Sequence, residues 1–163
     1  TVCWLFRGTI SMTGRRLGLI AAFGSLGMII TALGFQYIGE LPPCKMCYLQ
    51  RYPHIAAVGI GILFLMLAYR RLLLLGALSA STTGVIGIYH VGVEQTWWQG
   101  PDTCTSSSTD GLSVDQLLDQ IMTAPLVRCD EIAWSLMGIS MAGWNAIVSC
   151  ALAFLWITAF KRA

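Results

Sequence analysis

Charge is what this chain has least of. Lys, Arg, Asp and Glu make up 11% of its 163 residues, against about 25% in ordinary soluble domains. So little charge excludes the usual solvated globular surface. The net charge of +2 provides no broad basic field of the kind that binds nucleic acid. Polar stretches are also few. Apart from the first residues, one short connection and one longer one are the only places where soluble structure could form. Prolines number five and histidines two, so helices can run long and a histidine-rich metal cluster is excluded.

What is abundant is apolar sequence, 56% of residues. Apolar runs of about 20 residues are the signal of membrane-spanning helices. Four are present, over about 17–38, 52–69, 72–93 and 142–160. Pro53 and His54 interrupt the start of the second. The fold expected is all-α, a single four-helix transmembrane bundle with a short and a long extracytoplasmic loop. Helices in lipid associate by close packing. Gly76, Ala80 and Gly84 recur every four residues in the third span and offer such a face, although small residues are common in these helices in any case.

The basic residues are unevenly placed. Arg7, Arg15 and Arg16 precede the first span, Arg70 and Arg71 separate the second from the third, and Lys161 and Arg162 follow the fourth. These seven of the ten basic residues fall on one side if all four spans cross. The positive-inside rule puts that side, and both termini, in the cytoplasm. All eight acidic residues, Glu40, Glu94, Asp102, Asp110, Asp115, Asp119, Asp130 and Glu131, fall on the other side. The first span is longer than a signal-peptide core, and Gly39-Glu40-Leu41-Pro42-Pro43 follows it in place of a small-x-small cleavage site, so it is expected to be retained. The sequence begins at Thr1, and the native start is expected to lie upstream.

The outer connections cover about 39–51 and 94–141. Pro42-Pro43 stiffens the first and ends any continuing helix. Trp97 and Trp98 open the second, and Trp134 and Trp144 flank its end. Tryptophan favours the headgroup level, which would tether the loop at both ends. Within it, Val114, Leu117, Leu118 and Ile121 form an apolar stripe at helical spacing, with Ser113 and Gln116 as a capping box. A short amphipathic helix over 112–122 is expected.

Topology sorts the six cysteines. Cys3 lies on the reducing side and Cys150 inside the fourth span, both as free thiols. Cys44, Cys47, Cys104 and Cys129 share the outer side, where disulfides persist. Four cysteines allow three connectivities. The local Cys44-x-x-Cys47 makes Cys44–Cys47 with Cys104–Cys129 the natural resting arrangement. A Cys104–Cys129 bridge has a structural reading, because closing a loop of that size stabilises by roughly 3 kcal/mol in the chain-entropy model. A bridge across two residues removes little chain entropy, and such a pair is more often redox-active or metal-binding. A four-cysteine metal site is the competing reading, but an oxidising compartment does not keep thiols waiting for zinc. Lys45, Arg51 one helical turn beyond Cys47, and a helix N-terminus would all favour a thiolate here. An arginine at the mouth of a span has a partner or a role, unless it snorkels to headgroups. His54 reads as a satisfied interface residue.

The segment Pro43-Cys44-Lys45-Met46-Cys47-Tyr48-Leu49-Gln50-Arg51 resembles the DsbB family of inner-membrane disulfide bond formation proteins. The likeness extends to Cys104 and Cys129, to Trp134, and to Gly138-Ile139-Ser140-Met141-Ala142-Gly143-Trp144-Asn145 entering the last span. It covers essentially the whole chain. It implies a quinone-dependent oxidoreductase of the bacterial inner membrane. Such an enzyme reoxidises a periplasmic thioredoxin-fold protein of the DsbA type and passes the electrons to ubiquinone or menaquinone. Cys104 matches the cysteine that forms the mixed disulfide with that partner, and Cys129 its mate. Cys44–Cys47 matches the pair that reoxidises them, with Cys47 facing the quinone and Arg51 supporting that step. Some members carry a quinone-proximal histidine directly after a glutamate at the end of span three. Here Gln95 follows Glu94, with His90 one turn earlier, so Gln95 could offer a quinone carbonyl only a neutral hydrogen bond. Two rivals remain: a structural or metal-binding membrane protein whose outer cysteines are staples or ligands, and a quinone reductase of the vitamin K epoxide reductase type. The latter usually carries its C-x-x-C late in the bundle.

Overall fold

The computed structural model describes residues 11–101, 104, 113, 115, 118, 122 and 127–163. Four helices long and apolar enough to cross a membrane are present among them: α1 (Met12–Tyr37), α2 (Lys45–Leu67), α3 (Arg71–Glu94) and α4 (Met141–Arg162). A two-residue-per-strand antiparallel hairpin, β1 (Ser135–Leu136) and β2 (Ile139–Ser140), precedes α4. The all-α four-helix membrane bundle expected from the apolar runs is the fold observed.

Side-chain caps set three of the helix starts. Ser11 accepts from the Gly14 N–H and Ser140 from the Gly143 N–H, each satisfying a donor that the first turn leaves free. Cys44 does the same for α2 through its sulfur, which accepts from the Cys47 N–H at 3.2 Å. This start corrects the expected one. The second helix begins at Lys45, not near 52, and carries Pro53 inside it. The short outer connection therefore ends at Cys44, and the C-x-x-C is the first turn of a helix. The expected helix over 112–122 lies mostly outside the described residues, as does Cys3.

Neighbouring helices pack in the order α1, α2, α3, α4, with α4 closing back on α1 and little contact across the α1–α3 diagonal. The core of the charged end is built on Trp156, Leu73, Phe64 and the alanines 21, 77, 80, 153 and 159. Gly76 lies beneath the Trp156 indole, so close that a Cβ there would stand 2.6 Å from its ring atoms. Gly84 faces Ser149 and Cys150. The small-residue stripe of α3 is thus the seat of α4. Cys150 itself is exposed on α4 rather than buried.

The basic clusters gather at one end. The Arg70 guanidinium donates twice to the Phe160 carbonyl, at 2.9 and 3.1 Å, and lies over the Phe160 ring. The Ser11 hydroxyl donates to the Arg162 carbonyl. Cys44, Cys47, Cys104 and Cys129 occupy the opposite end.

Candidate functional site

At that opposite end, the chain turns off α1, crosses Pro42-Pro43 and enters α2 at Cys44. Cys44 and Cys47 are thiols whose sulfurs stand 3.0 Å apart. The expected resting bridge is therefore absent from the inner pair. Cys104 and Cys129 are joined as a disulfide across 25 residues. The outer pair is bridged, and the sulfurs of the inner pair adjoin without a bond. The Cys44, Cys104 and Cys129 sulfurs all lie within 4.8 Å of one another. Met46 and Val93 enclose the cluster, and Cys104 is only 1% exposed. The Cys44 thiol is pushed well above the ordinary thiol range, first by its hydrogen bond to the Cys47 sulfur and then by burial. A buried thiol is hard to ionise unless a neighbour stabilises the anion.

That neighbour is on α3. His90, 3% exposed, has Nε2 3.7 Å from the Cys44 sulfur, 3.2 Å from the Cys129 carbonyl and 4.0 Å from the Glu94 carboxylate. The other Glu94 oxygen accepts from the Ser140 hydroxyl. From His90 a chain of buried polar groups runs into the bundle. His90 Nδ1 meets Gln50 Nε2 at 2.9 Å, and Gln50 Oε1 accepts from Asn145 Nδ2 at 2.6 Å. Asn145 Oδ1 faces His54 Nε2 at 3.0 Å, and Ser149 lies 3.3 Å from that same nitrogen. The Thr83 hydroxyl ties in by donating to the Gln50 carbonyl.

Cys47 lies between two cavities. One of about 270 Å³ is walled by Met28, Ala32 and Phe35 of α1, by Cys47, Gln50, Arg51 and His54 of α2, and by the hairpin and α4 through Trp134, Leu136, Trp144 and Asn145. This is near the lower end of small-molecule pockets, about 300 Å³, and it has their usual apolar wall with a few polar groups. The second, about 50 Å³, touches Cys44, Cys47, Arg51, His90 and Glu94. Arg51 is anchored to α1, donating to Gln36 Oε1 at 2.6 Å and to the Ala32 carbonyl at 3.3 Å. Its guanidinium also lies 5.1 Å from the Tyr48 ring centroid. It is therefore a fixed cation of the cavity wall rather than a free snorkelling side chain. Gln95 is exposed at the end of α3, where its N–H bonds the Val91 carbonyl, and it lines neither cavity.

A metal reading would draw on Cys44, Cys47 and His90, whose donor atoms lie within 4.8 Å of one another. The four-cysteine site is not available here, since two of its ligands are spent in the disulfide. A flat apolar carbonyl compound suits the larger cavity better. The Arg51 guanidinium in its wall has N–H donors that a carbonyl oxygen can meet, whereas the buried His54 Nδ1, whose ring gives its Nε2–H to Asn145 Oδ1, can only accept.

The family model for the disulfide bond formation protein DsbB matches residues 14–159. The chain belongs to the DsbB family. Disulfide bond formation protein B of Mannheimia succiniciproducens is 32% identical over 173 residues, covering 96% of this chain and 92% of the relative. The protein of the same name from Dechloromonas aromatica is 29% identical over 147 residues, 85% of this chain and 87% of its own. Disulfide bond formation protein B 2 of Pseudomonas aeruginosa is 30% identical over 153 residues, 86% and 88%. No solved structure matches. This DsbB-family chain is thus a multi-pass membrane protein of disulfide bond formation, with the oxidoreductase activity that the family implies.

Sequence reasoning placed Cys44, Cys47, Cys104, Cys129, Arg51 and Glu94 at the outer end, and the structure brings these six together. It missed Gln50 and Asn145 as site residues and read His54 as an interface residue, whereas His54 is 2% exposed in the interior. The available signal was a polar side chain inside an apolar span, which rarely stands there without a task.

Proposed function

We propose that this chain is a quinone-dependent oxidase of a periplasmic dithiol protein of the DsbA type. Electrons enter at Cys104–Cys129, pass to Cys44–Cys47 and leave to a ubiquinone or menaquinone in the larger cavity. The observation that carries this reading is the position of Cys44. Its sulfur lies within 4.8 Å of both loop sulfurs and 3.0 Å from Cys47, while Cys47 reaches the cavity wall. Thiol–disulfide exchange needs sulfur-to-sulfur attack, and no large movement is required between these two pairs.

The protein's own groups have separate tasks. Cys104 takes the mixed disulfide with the partner and Cys129 leaves as a thiolate; the partner's second thiol then closes the partner disulfide and releases Cys104. Cys47 and Arg51 face the quinone, which when bound accepts two electrons and two protons. The Arg51 cation, held by Gln36 and Ala32, stabilises negative charge developing nearby. The apolar wall excludes water. Glu94 belongs to the smaller cavity beside Cys44. With the basic end cytoplasmic, both termini lie on the cytoplasmic side of the bacterial inner membrane and Cys44, Cys47, Cys104 and Cys129 face the periplasm.

The test is anaerobic reduction of a soluble ubiquinone analogue by the purified protein, with a reduced thioredoxin-fold dithiol protein as donor. Stoichiometric quinol and oxidised donor are expected. Oxidised donor without quinol, or no turnover with either quinone class, would overturn the reading. Disulfides that stay closed when challenged with the reduced donor would favour the structural alternative.

A further inference from the structure

The two amides in the buried polar chain have only one orientation each. Gln50 Nε2 lies 3.2 Å from the Met46 carbonyl, and Asn145 Nδ2 lies 3.5 Å from the Thr83 carbonyl. A carbonyl only accepts, so in both amides it is the nitrogen that faces these groups. Gln50 therefore donates to His90 Nδ1. A neutral imidazole with Nδ1 accepting carries its proton on Nε2. That single N–H faces the Cys129 carbonyl at 3.2 Å and the Cys44 sulfur at 3.7 Å, with Glu94 at 4.0 Å.

We propose that His90 is a catalytic hydrogen-bond donor in the exchange between the two cysteine pairs, with its Nε2–H stabilising Cys44 as the leaving thiolate. The inference rests on the relay reading above. The step balances within the protein. A loop thiolate attacks the Cys44 sulfur of an oxidised Cys44–Cys47 pair, a Cys44–loop disulfide forms, and Cys47 leaves as a thiolate. The second loop thiolate then attacks the loop sulfur of that bridge. The Cys104–Cys129 disulfide closes, and Cys44 leaves with the electron pair of the broken S–S bond. The loop pair is oxidised by two electrons and the inner pair reduced by two. A thiolate appearing at Cys44 is buried and has no lysine or arginine among the groups that the structure bonds to it. The Cys47 backbone N–H already donates to that sulfur, and the His90 N–H is the side-chain donor in place to join it, moving from the Cys129 carbonyl to the sulfur. A hydrogen bond to a charged group is worth more than one to a neutral carbonyl, so the donor follows the charge. Gln50 and Asn145 are positioning residues that keep the proton on Nε2.

The test uses two polar replacements in the full chain. In His90→Gln the amide reaches about as far as Nε2, and in His90→Asn only as far as Nδ1. Protein oxidised at both pairs is mixed with one equivalent of a reduced thioredoxin-fold dithiol protein. The mixture is acid-quenched over time, alkylated and mapped for the Cys44–loop disulfide. His90→Asn is expected to lengthen the lifetime of that bridge about tenfold, and His90→Gln by less than about threefold. Equal lifetimes in the parent and in His90→Asn would overturn the role of His90 while leaving the relay intact. Equal slowing in both variants would reduce His90 to a packing residue. A parent protein in which reducing equivalents never pass from the loop pair to Cys44–Cys47 would instead sink the relay reading itself.

Discussion

Arg51 shows how much one side chain's role depends on who holds it. A guanidinium in an apolar wall needs partners, and it has Gln36 Oε1, the Ala32 carbonyl and the Tyr48 ring. Its charge is thereby fixed beside Cys47 instead of drifting toward headgroups. Arg51→Lys keeps the charge but loses the planar fork, and should lower kcat/KM for quinone by about threefold. Arg51→Met should lower it by about tenfold or more, which corresponds to roughly 1.4 kcal/mol. Stopped-flow quinone reduction measures both, and unchanged kinetics in Arg51→Met would remove Arg51 from the site. Cys104 carries a different expectation. It is buried against Cys44 and Val93, so under the proposed function it must become accessible before a partner thiol can attack it. Cys104→Ser should abolish oxidation of the dithiol protein while Cys44–Cys47 remains oxidisable by quinone. Full turnover by that variant would exclude Cys104 as the point of entry.

Among the elements, the α3–α4 seam has the least freedom. Trp156 is fully buried, and its indole rests where a Gly76 side chain would be. Gly76→Ala puts a methyl 2.6 Å from ring atoms that cannot swing aside, so the helices must part. A loss of about 1–3 kcal/mol is expected, as for other overpacked cores, read from unfolding in mixed micelles. At Gly84 the corresponding atoms stand 3.4 Å or more away, and Gly84→Ala should cost much less. Equal costs at the two positions would mean that the indole, and with it the seam, has room to adjust. The hairpin before α4 is a second constrained element. Met137 and Gly138 both have positive φ, as a two-residue type I′ turn requires. The turn brings Trp134 and Leu136 back over the larger cavity, where the Trp144 N–H donates to the Leu136 carbonyl.

At the scale of the molecule, the charges divide. Arg15, Arg16, Arg70, Arg71, Lys161 and Arg162 sit at the end away from Cys44, Cys47, Cys104 and Cys129, and the positive-inside rule predicts that this end is cytoplasmic. Single cysteines introduced into a protein whose own reactive thiols have been replaced should report this directly. One at Gln99 should react with an impermeant maleimide added outside spheroplasts, and one at Lys161 only after lysis. Outside labelling at Lys161 would reverse the orientation and move the cysteine site to the reducing side, where a disulfide relay could not work.

Much of this was legible in the chain, and the reason is physical. Membrane insertion is governed by length and apolarity, which are additive along the sequence, so four spans follow from residue order alone. The two cysteine pairs were legible too, because topology puts them on one side. The start of α2 was not, since its Cys44 cap replaces the usual Ser, Thr, Asp or Asn and Pro53 obscures the run. Nor was the partner of each buried polar group. His90 meets Gln50 across 40 residues, and Asn145 meets Gln50 across 95. Such pairings depend on which helix faces sit together, and therefore on packing at residues such as Gly76 and Trp156. Residue order determined what crosses the membrane and which thiols share a side. Only the tertiary structure decided that Cys44 stands between the loop disulfide and Cys47, with a histidine nitrogen 3.7 Å from its sulfur.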